Sequence, residues 1–348
     1  MSAPTEIGPA PGAPVAPATP PRVRRPVVDF LVRRIALGVL TLVASSILIF
    51  LATNALPGNV AQVVLGRDAT PERLAALESS LGLDRPLVER YVSWLVGALH
   101  GDLGRSAVAM AQSAPETSVS VLIAGPLLNS SVLALIAAVL LIPLSLAVGV
   151  FAAVRAGRPS DHVLSYVTLA FGALPEFVLG TLLIVVFSSW LGLLPPVSLL
   201  GPSETPLSHP VGLVLPVLTL LGVAVAFSSR QVRAGMIRAL RSEHVKTARL
   251  NGLAERRIRY RYGLRTSLAT SVQSFAQSIQ YLFGGIIVVE ALFTYPGIGT
   301  ALINAVLRRD VTQVQGIALL LAAAYIVINI LADLVVLLVV PKLRTGAR

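Results

Sequence analysis

The sequence has no cysteine. That excludes disulfide scaffolds, thiol nucleophiles and cysteine metal sites, and it says nothing of compartment. Charge is scarce as well. Asp, Glu, Lys and Arg make up 13% of the 348 residues, where a soluble domain carries about 25%. Acids are the scarcer sign: 17 Asp and Glu stand against 28 Lys and Arg, a net charge of +11. The histidines, His100, His162, His209 and His244, lie far apart, so no metal cluster is expected. There is no G-x-x-x-x-G-K-[ST] phosphate loop, and no nucleophile with a neighbouring base stands out. What the chain has instead is apolar length. Hydrophobic residues make up 55% and the mean hydropathy is +0.79. Such a composition, with long charge-free runs, places the chain in a bilayer. The basic excess lies between the apolar runs, a pattern of membrane topology rather than of a nucleic-acid surface.

Six apolar stretches are long enough, or nearly so, to cross a membrane at about 20 residues per crossing. They run over Ile35–Leu56, Leu127–Val154, Val163–Leu191, Val211–Phe227, Ser267–Val289 and Ile317–Val340. Pro143, Pro175 and Pro216 fall inside them, which bundled membrane helices tolerate. Before the first run lies a Pro/Ala-rich tail, expected to be disordered and not a signal peptide. Between the first two runs, TPERLAALESSLGL predicts a helix with Thr70 as cap, Pro71 in the first turn and Gly82 at the end. A second helical pattern covers Arg85–His100, with Trp94 and Leu95 on one side.

Loop charge sets the expected sidedness. Between Arg230 and Arg265 the only acids are Glu243 and Glu255, among a run of Arg and Lys. Arg155, Arg158, Lys342, Arg344 and Arg348 add to the same side, while Leu191–Pro210 has no Lys or Arg. Basic loops stay cytoplasmic. The chain is therefore expected to be multi-pass in the plasma (cytoplasmic) membrane, with both termini cytoplasmic and the 57–118 insert outside.

The longest basic loop contains SEHVKTARLNGL, Ser242–Leu253. Ser242 suits a helix N-cap and Gly252 a helix stop. Glu243 sits at the positive helix end, worth about 0.3–1 kcal/mol. Val245, Ala248 and Gly252 form one smooth face of small side chains. Two readings fit that pattern: a helix that seats in another protein's groove, and a solvated basic loop.

Glu243, then Thr247-Ala248-Arg249, then Asn251-Gly252-Leu253 resembles the EAA loop of ABC importer permeases. The likeness continues through LVRRI at Leu31, LPGN at Leu56, GDLGRS at Gly101 and LPEFVLGTLL at Leu174. It extends through GGIIVVEALFTYPGIGTALINAVLRRD at Gly284 and VQGIALLLAAAYIVINILADL at Val314. These motifs, in this order, are similar to the B-type permeases for dipeptides and oligopeptides. The departures are Asn59 where members often have Asp, Ala254 where they often have Ser, no proline near Thr270, and Val340-Pro341-Lys342 near the end.

The resemblance implies an all-α polytopic membrane protein with about six transmembrane helices, in the MetI-like fold of type I importer permeases. The expected organisation is a tail 1–28, a first transmembrane helix 29–56, an extracytoplasmic helical insert 57–118, a permease body 119–342 with a coupling loop 230–265, and a C-terminus 343–348. The coupling helix, with Glu243, Val245, Thr247, Ala248, Arg249, Asn251 and Gly252, would dock on a cytoplasmic ATPase subunit. ATP and Mg would bind that partner, with no cofactor on this chain. A second homologous permease and an extracytoplasmic substrate-binding protein complete the implied assembly. Di- and oligopeptides are the implied cargo; nickel complexes, glutathione and sugars are carried by similar permeases.

Polar residues inside apolar runs are the candidates for a path. Thr270, Gln273, Ser274, Gln277, Gln280 and Tyr281 fall on about a third of a helix circumference. Such a strip lines a water-filled path or hydrogen-bonds to neighbouring helices. Glu176, Glu290 and Asp333 are acids in apolar segments, each costing about 2.5–3.5 kcal/mol at mid-bilayer without a partner or water. Glu176 is expected near mid-span, either facing a substrate ammonium group or held structurally beside Pro175. Glu290 is expected near the outer end, where water reaches it, and Asn329 and Asp333 in a packing network. Two other classes stay open: an intramembrane enzyme using Glu176 and Asp333 as acids, and a proton-coupled secondary transporter.

Overall fold

The computed structural model describes residues 26–55, 60–66, 69–198, 201 and 204–339. The expectations for the tail up to residue 25, for Asn59, for the Thr270 side chain and for residues 340–348 lie outside the described residues. Helices account for the chain in the order α1 (Pro26–Asn54), α2 (Val60–Leu65), α3 (Pro71–Ser80), α4 (Leu87–Leu99), α5 (Ala107–Ala111), α6 (Val119–Val154), α7 (Pro159–Ala173) and α8 (Glu176–Leu183). A π-helical stretch, Ile184–Trp190, continues α8. Then come α9 (Pro210–Leu240), α10 (Glu243–Leu250), the short turn α11 (Glu255–Arg257), a second π-helical stretch Ile258–Leu264, α12 (Arg265–Leu292), α13 (Ile298–Leu307) and α14 (Val311–Val339).

Among the described residues, five helices are long and apolar enough to cross a bilayer. The sixth candidate, Val163–Leu191, is not a straight span. It breaks into α7 and α8 with a bend of 113°. Pro175 causes the break: the residue before a proline is pushed out of helical geometry, and Leu174 sits at φ −84°, ψ 133°. Pro143 and Pro216, in contrast, lie within continuous helices. Helix ends move outward from the expected boundaries. The basic stretch expected as a loop is helical almost throughout, because α9 runs on to Leu240 and the π stretch leads straight into α12.

The centre of the bundle is α9, on which α6, α7, α8 and α12 all pack. Its apolar core joins Leu133, Ala137 and Leu141 of α6 to Leu215, Leu220 and Leu221 of α9 and Leu282, Ile286 and Val289 of α12. Gly149 lets α6 and α9 touch: a Cβ there would lie 2.6 Å from the Ser229 carbonyl. The pair α1 and α14 forms the outer rim.

The insert between α1 and α6 is built as its turn chemistry predicts. The Thr70 hydroxyl accepts the Arg73 amide at 3.3 Å, and Gly82 takes φ +62°. Tyr91 and Trp94 of α4 stack around Phe50 of α1, with centroids 5.4 and 5.9 Å away. Buried Asp310 ties the insert to α14: it accepts from the Ser106 hydroxyl, the Ala107 amide (3.3 Å) and the Gln313 amide (3.2 Å).

Candidate docking helix and polar groove

Helix α10 is short, so packing and capping must hold it. Its end is a Schellman arrangement. The Leu253 amide bonds the Ala248 carbonyl at 3.2 Å and the Gly252 amide bonds the Arg249 carbonyl at 3.0 Å. Gly252 takes φ +74°, a conformation that glycine adopts without penalty. Its start differs from expectation. Ser242 occupies the cap position, but its hydroxyl turns back to the Ala239 carbonyl at 2.5 Å and does not cap the helix.

The face expected to meet a partner is the face this chain uses itself. Val245 is fully buried and Ala248 nearly so, against Ile258 with Leu240, Leu253 and Tyr262 around them. The reason is the helical turn after Gly252, which brings Ile258 back beneath α10. Apolar burial then orients α10 the opposite way from the simple pattern. Outward point Glu243, Lys246, Thr247 and Leu250. Leu250 is 87% exposed, an isolated large apolar side chain on a polar surface. Lys246 donates to Glu243 at 2.6 Å, and the Thr247 hydroxyl donates to the Glu243 carbonyl at 3.1 Å. Asn251 and Gly252 are exposed at the tip.

Arg249 does neither job. Its guanidinium bonds Glu255 at 2.6 Å, bracing α10 against the turn that follows. That guanidinium holds the Glu255 carboxyl below its ordinary value. The brace spans Ala254, whose side chain makes no cap, so an ion pair stands where a capping hydroxyl is absent.

In the bundle, Glu176, Gln277 and Gln280 are brought together. With Tyr281, Gly284 and Tyr325 they line a groove of about 440 Å³. Glu176 is the first residue of α8, at the break, so its carboxylate has the helix's positive end behind it. It lies over Gly285, where a Cβ would come within 3.1 Å of its oxygen, and the Tyr281 hydroxyl faces it. A second groove of about 370 Å³ shares Gln277 and Tyr281 and ends at Arg230, so the polar strip runs on towards the basic end. Gln273 is exposed one turn earlier and lines neither groove. Ser274 points inward and donates to the Ser271 carbonyl at 2.8 Å. Sequence reading counted Arg230 only as a topology charge; its place on the strip depends on how α9 and α12 pack.

Residues 27–147 match the family model described as the N-terminal part of a binding-protein-dependent transport system membrane component. Residues 145–345 match the model of the binding-protein-dependent transport system inner membrane component. The chain belongs to this family. It is 31% identical over 314 residues to a putative peptide transport system permease protein of Brucella abortus (strain 2308), covering 90% of this chain and 98% of that one. It is 31% identical over 317 residues to the glutathione transport system permease protein GsiC of Escherichia coli (strain K12), covering 91% and 99%. It is thus a multi-pass membrane component of an ABC-type transport system.

In this permease Glu290, Asp333 and Asp161 are each partnered. Glu290 was expected near water, yet it is fully buried. It accepts from the Ser130 hydroxyl and from the Gly299 amide (2.7 Å), beneath the start of α13. The chain doubles back at Tyr295-Pro296-Gly297 and covers it, with no room for a side chain at Gly297. Of the two residues expected in a packing network between helices, Asp333 reaches a neighbouring helix by pairing with Arg34 of α1, whereas Asn329 donates to the Tyr325 carbonyl of its own helix (2.8 Å). Asp333 is bonded to Arg34 and is not among the residues that line the Glu176 groove. Asp161, unremarked in the sequence, receives a two-pronged bond from Arg233 at 2.7 Å on each oxygen and ties α7 to α9.

Proposed function

We propose that this permease is the non-catalytic membrane subunit of an ATP-driven peptide importer, and that α10 is where ATPase motion enters it. The outward face of α10 carries this reading. A packed, braced helix presents Leu250 between Glu243, Lys246 and Thr247 at the basic end of the bundle. An apolar knob ringed by polar groups is the form of a docking contact. The basic end faces the cytoplasm by charge bias, with both termini there. ATP and Mg belong to the docked subunit, a second permease completes the path, and a binding protein delivers cargo from outside.

Cargo is read from the polar strip. Glu176 stands at one part of it and Arg230 at another, with neutral Gln277 and Gln280 between. An acid and a base on two adjoining grooves that share Gln277 and Tyr281 suit a molecule with ammonium and carboxylate ends, as a peptide has. The names of the relatives agree with peptides or a peptide-like thiol.

The decisive experiment compares two positions on one helix. Leu250→Asp is expected to leave the chain in the membrane at normal level, with ATPase co-purification and uptake lost. Val245→Asp is expected to lower the level of the chain itself, because Val245 is core. Normal co-purification and uptake by Leu250→Asp would refute the docking face.

A further inference from the structure

A third groove, of about 590 Å³, lies on the outside of the bundle at its basic end, between the last turns of α6 and the π stretch before α12. One wall is apolar: Leu146, Val150 and Phe151. Its rim carries Arg155, Arg158 and Arg259. The order matters. From Leu146 to Arg155 the helix rises about 13 Å at 1.5 Å per residue. The apolar wall therefore extends from the guanidinium level into the depth of the bilayer. Phe151 is exposed along that wall, and the Arg155 guanidinium lies over its ring at 3.8 Å.

The rim keeps its positive charge. Among the described residues, no acid stands within ion-pair distance of Arg155 or Arg158. The nearest acid in sequence, Asp161, is taken by Arg233. Arg259 has Glu255 at 3.8 Å, but that carboxylate makes its close bond, 2.6 Å, to Arg249. Three guanidiniums over an apolar wall match one amphipathic chemistry: a phosphodiester headgroup at the rim with an acyl chain along Leu146, Val150 and Phe151.

We propose that this groove binds an anionic phospholipid of the leaflet on the basic side, holding α6 to the segment that leads from α10 into α12. The apolar wall argues for lipid over free phosphate, and the clustered cations argue for an acidic headgroup over a neutral one. The site is independent of α10 docking, and loss of the docking reading would leave it standing.

The test uses the assembled complex in phosphatidylcholine nanodiscs doped with photoactivatable phosphatidylglycerol. Labelling is expected on the peptide spanning Leu146–Arg155, and a photoactivatable phosphatidylcholine is expected to label it much less. The Arg155→Gln/Arg158→Gln/Arg259→Gln triple variant should lose labelling by about fivefold per arginine removed. The corresponding triple Lys variant should retain most of it, and both variants should keep wild-type assembly. Equal labelling by the two lipids would overturn the anionic site. Displacement by inorganic phosphate would make it a free-anion site and overturn the lipid assignment. Absence of lipid labelling, with the same peptide cross-linking to another subunit, would show that protein covers the groove and overturn it too.

Discussion

Val245 and Leu250 sit five positions apart on one short helix, and packing gives them opposite tasks. Val245 is inside because Ile258 returns beneath it; Leu250 is outside because none of the described residues covers that side. Arg249 fixes the orientation through Glu255, and this brace has a pH signature. The Glu255 carboxyl is held below its ordinary value chiefly by the Arg249 bond. A depressed native value stabilises above the unfolded value, about 4.3, and that contribution disappears as pH falls through the native value. Amide exchange across residues 249–255 should therefore be faster in Glu255→Gln than in wild type at pH 7, and the two should converge as pH falls through the depressed native value of Glu255. Equal exchange at pH 7 would dismiss the brace. In the groove, Glu176→Gln removes the charge and keeps the shape. Uptake of peptides with a free amino terminus should then show KM raised by about tenfold with assembly intact, which matches the loss of one charge-assisted bond. Unchanged uptake and preference would leave Glu176 a structural residue at the α8 terminus.

At the scale of elements, the α12–α13 corner depends on one carboxylate. Glu290 gathers the Ser130 hydroxyl of α6 and the Gly299 amide of α13, and Ile298 donates to the same Ser130 hydroxyl at 2.8 Å. Three helices meet on it. Glu290→Ala would leave the Ser130 hydroxyl and the Gly299 amide buried without this acceptor and should destabilise the chain by about 2–4 kcal/mol. Glu290→Gln keeps an acceptor and should cost less. Thermal unfolding in nanodiscs reads both, and wild-type stability of the Ala variant would contradict the corner's role. The α7–α8 break works differently: Pro175 places a helix start within an apolar stretch, and that start carries Glu176 into the groove.

At the scale of the molecule, α1 stays on the bundle through α14 and the insert, with few contacts elsewhere. Arg34 and Asp333 join these two helices across 299 residues of sequence. Arg34→Asp should lower stability by about 1–3 kcal/mol, because two acids then face each other at a membrane edge. Adding Asp333→Arg should restore most of it. If the double variant is as unstable as the single, the pair does not hold the rim.

Composition and periodicity by themselves established a membrane chain of about six apolar stretches, because a bilayer demands apolar length that local sequence must supply. Local turn chemistry likewise determined the caps at Thr70, Gly82 and Gly252, since those bonds reach only a few residues. The resemblance of ordered motifs pointed to the family, and the family matches bear it out. Tertiary structure decided everything that depends on distant partners. It turned Val245 and Ala248 inward, buried Glu290 under α13, gave Asp333 to Arg34 and Asp161 to Arg233, and set Arg230 on the same strip as Gln277. A helical pattern names a face but not what lies against it. Which face is inside is settled only when the returning chain buries one of them.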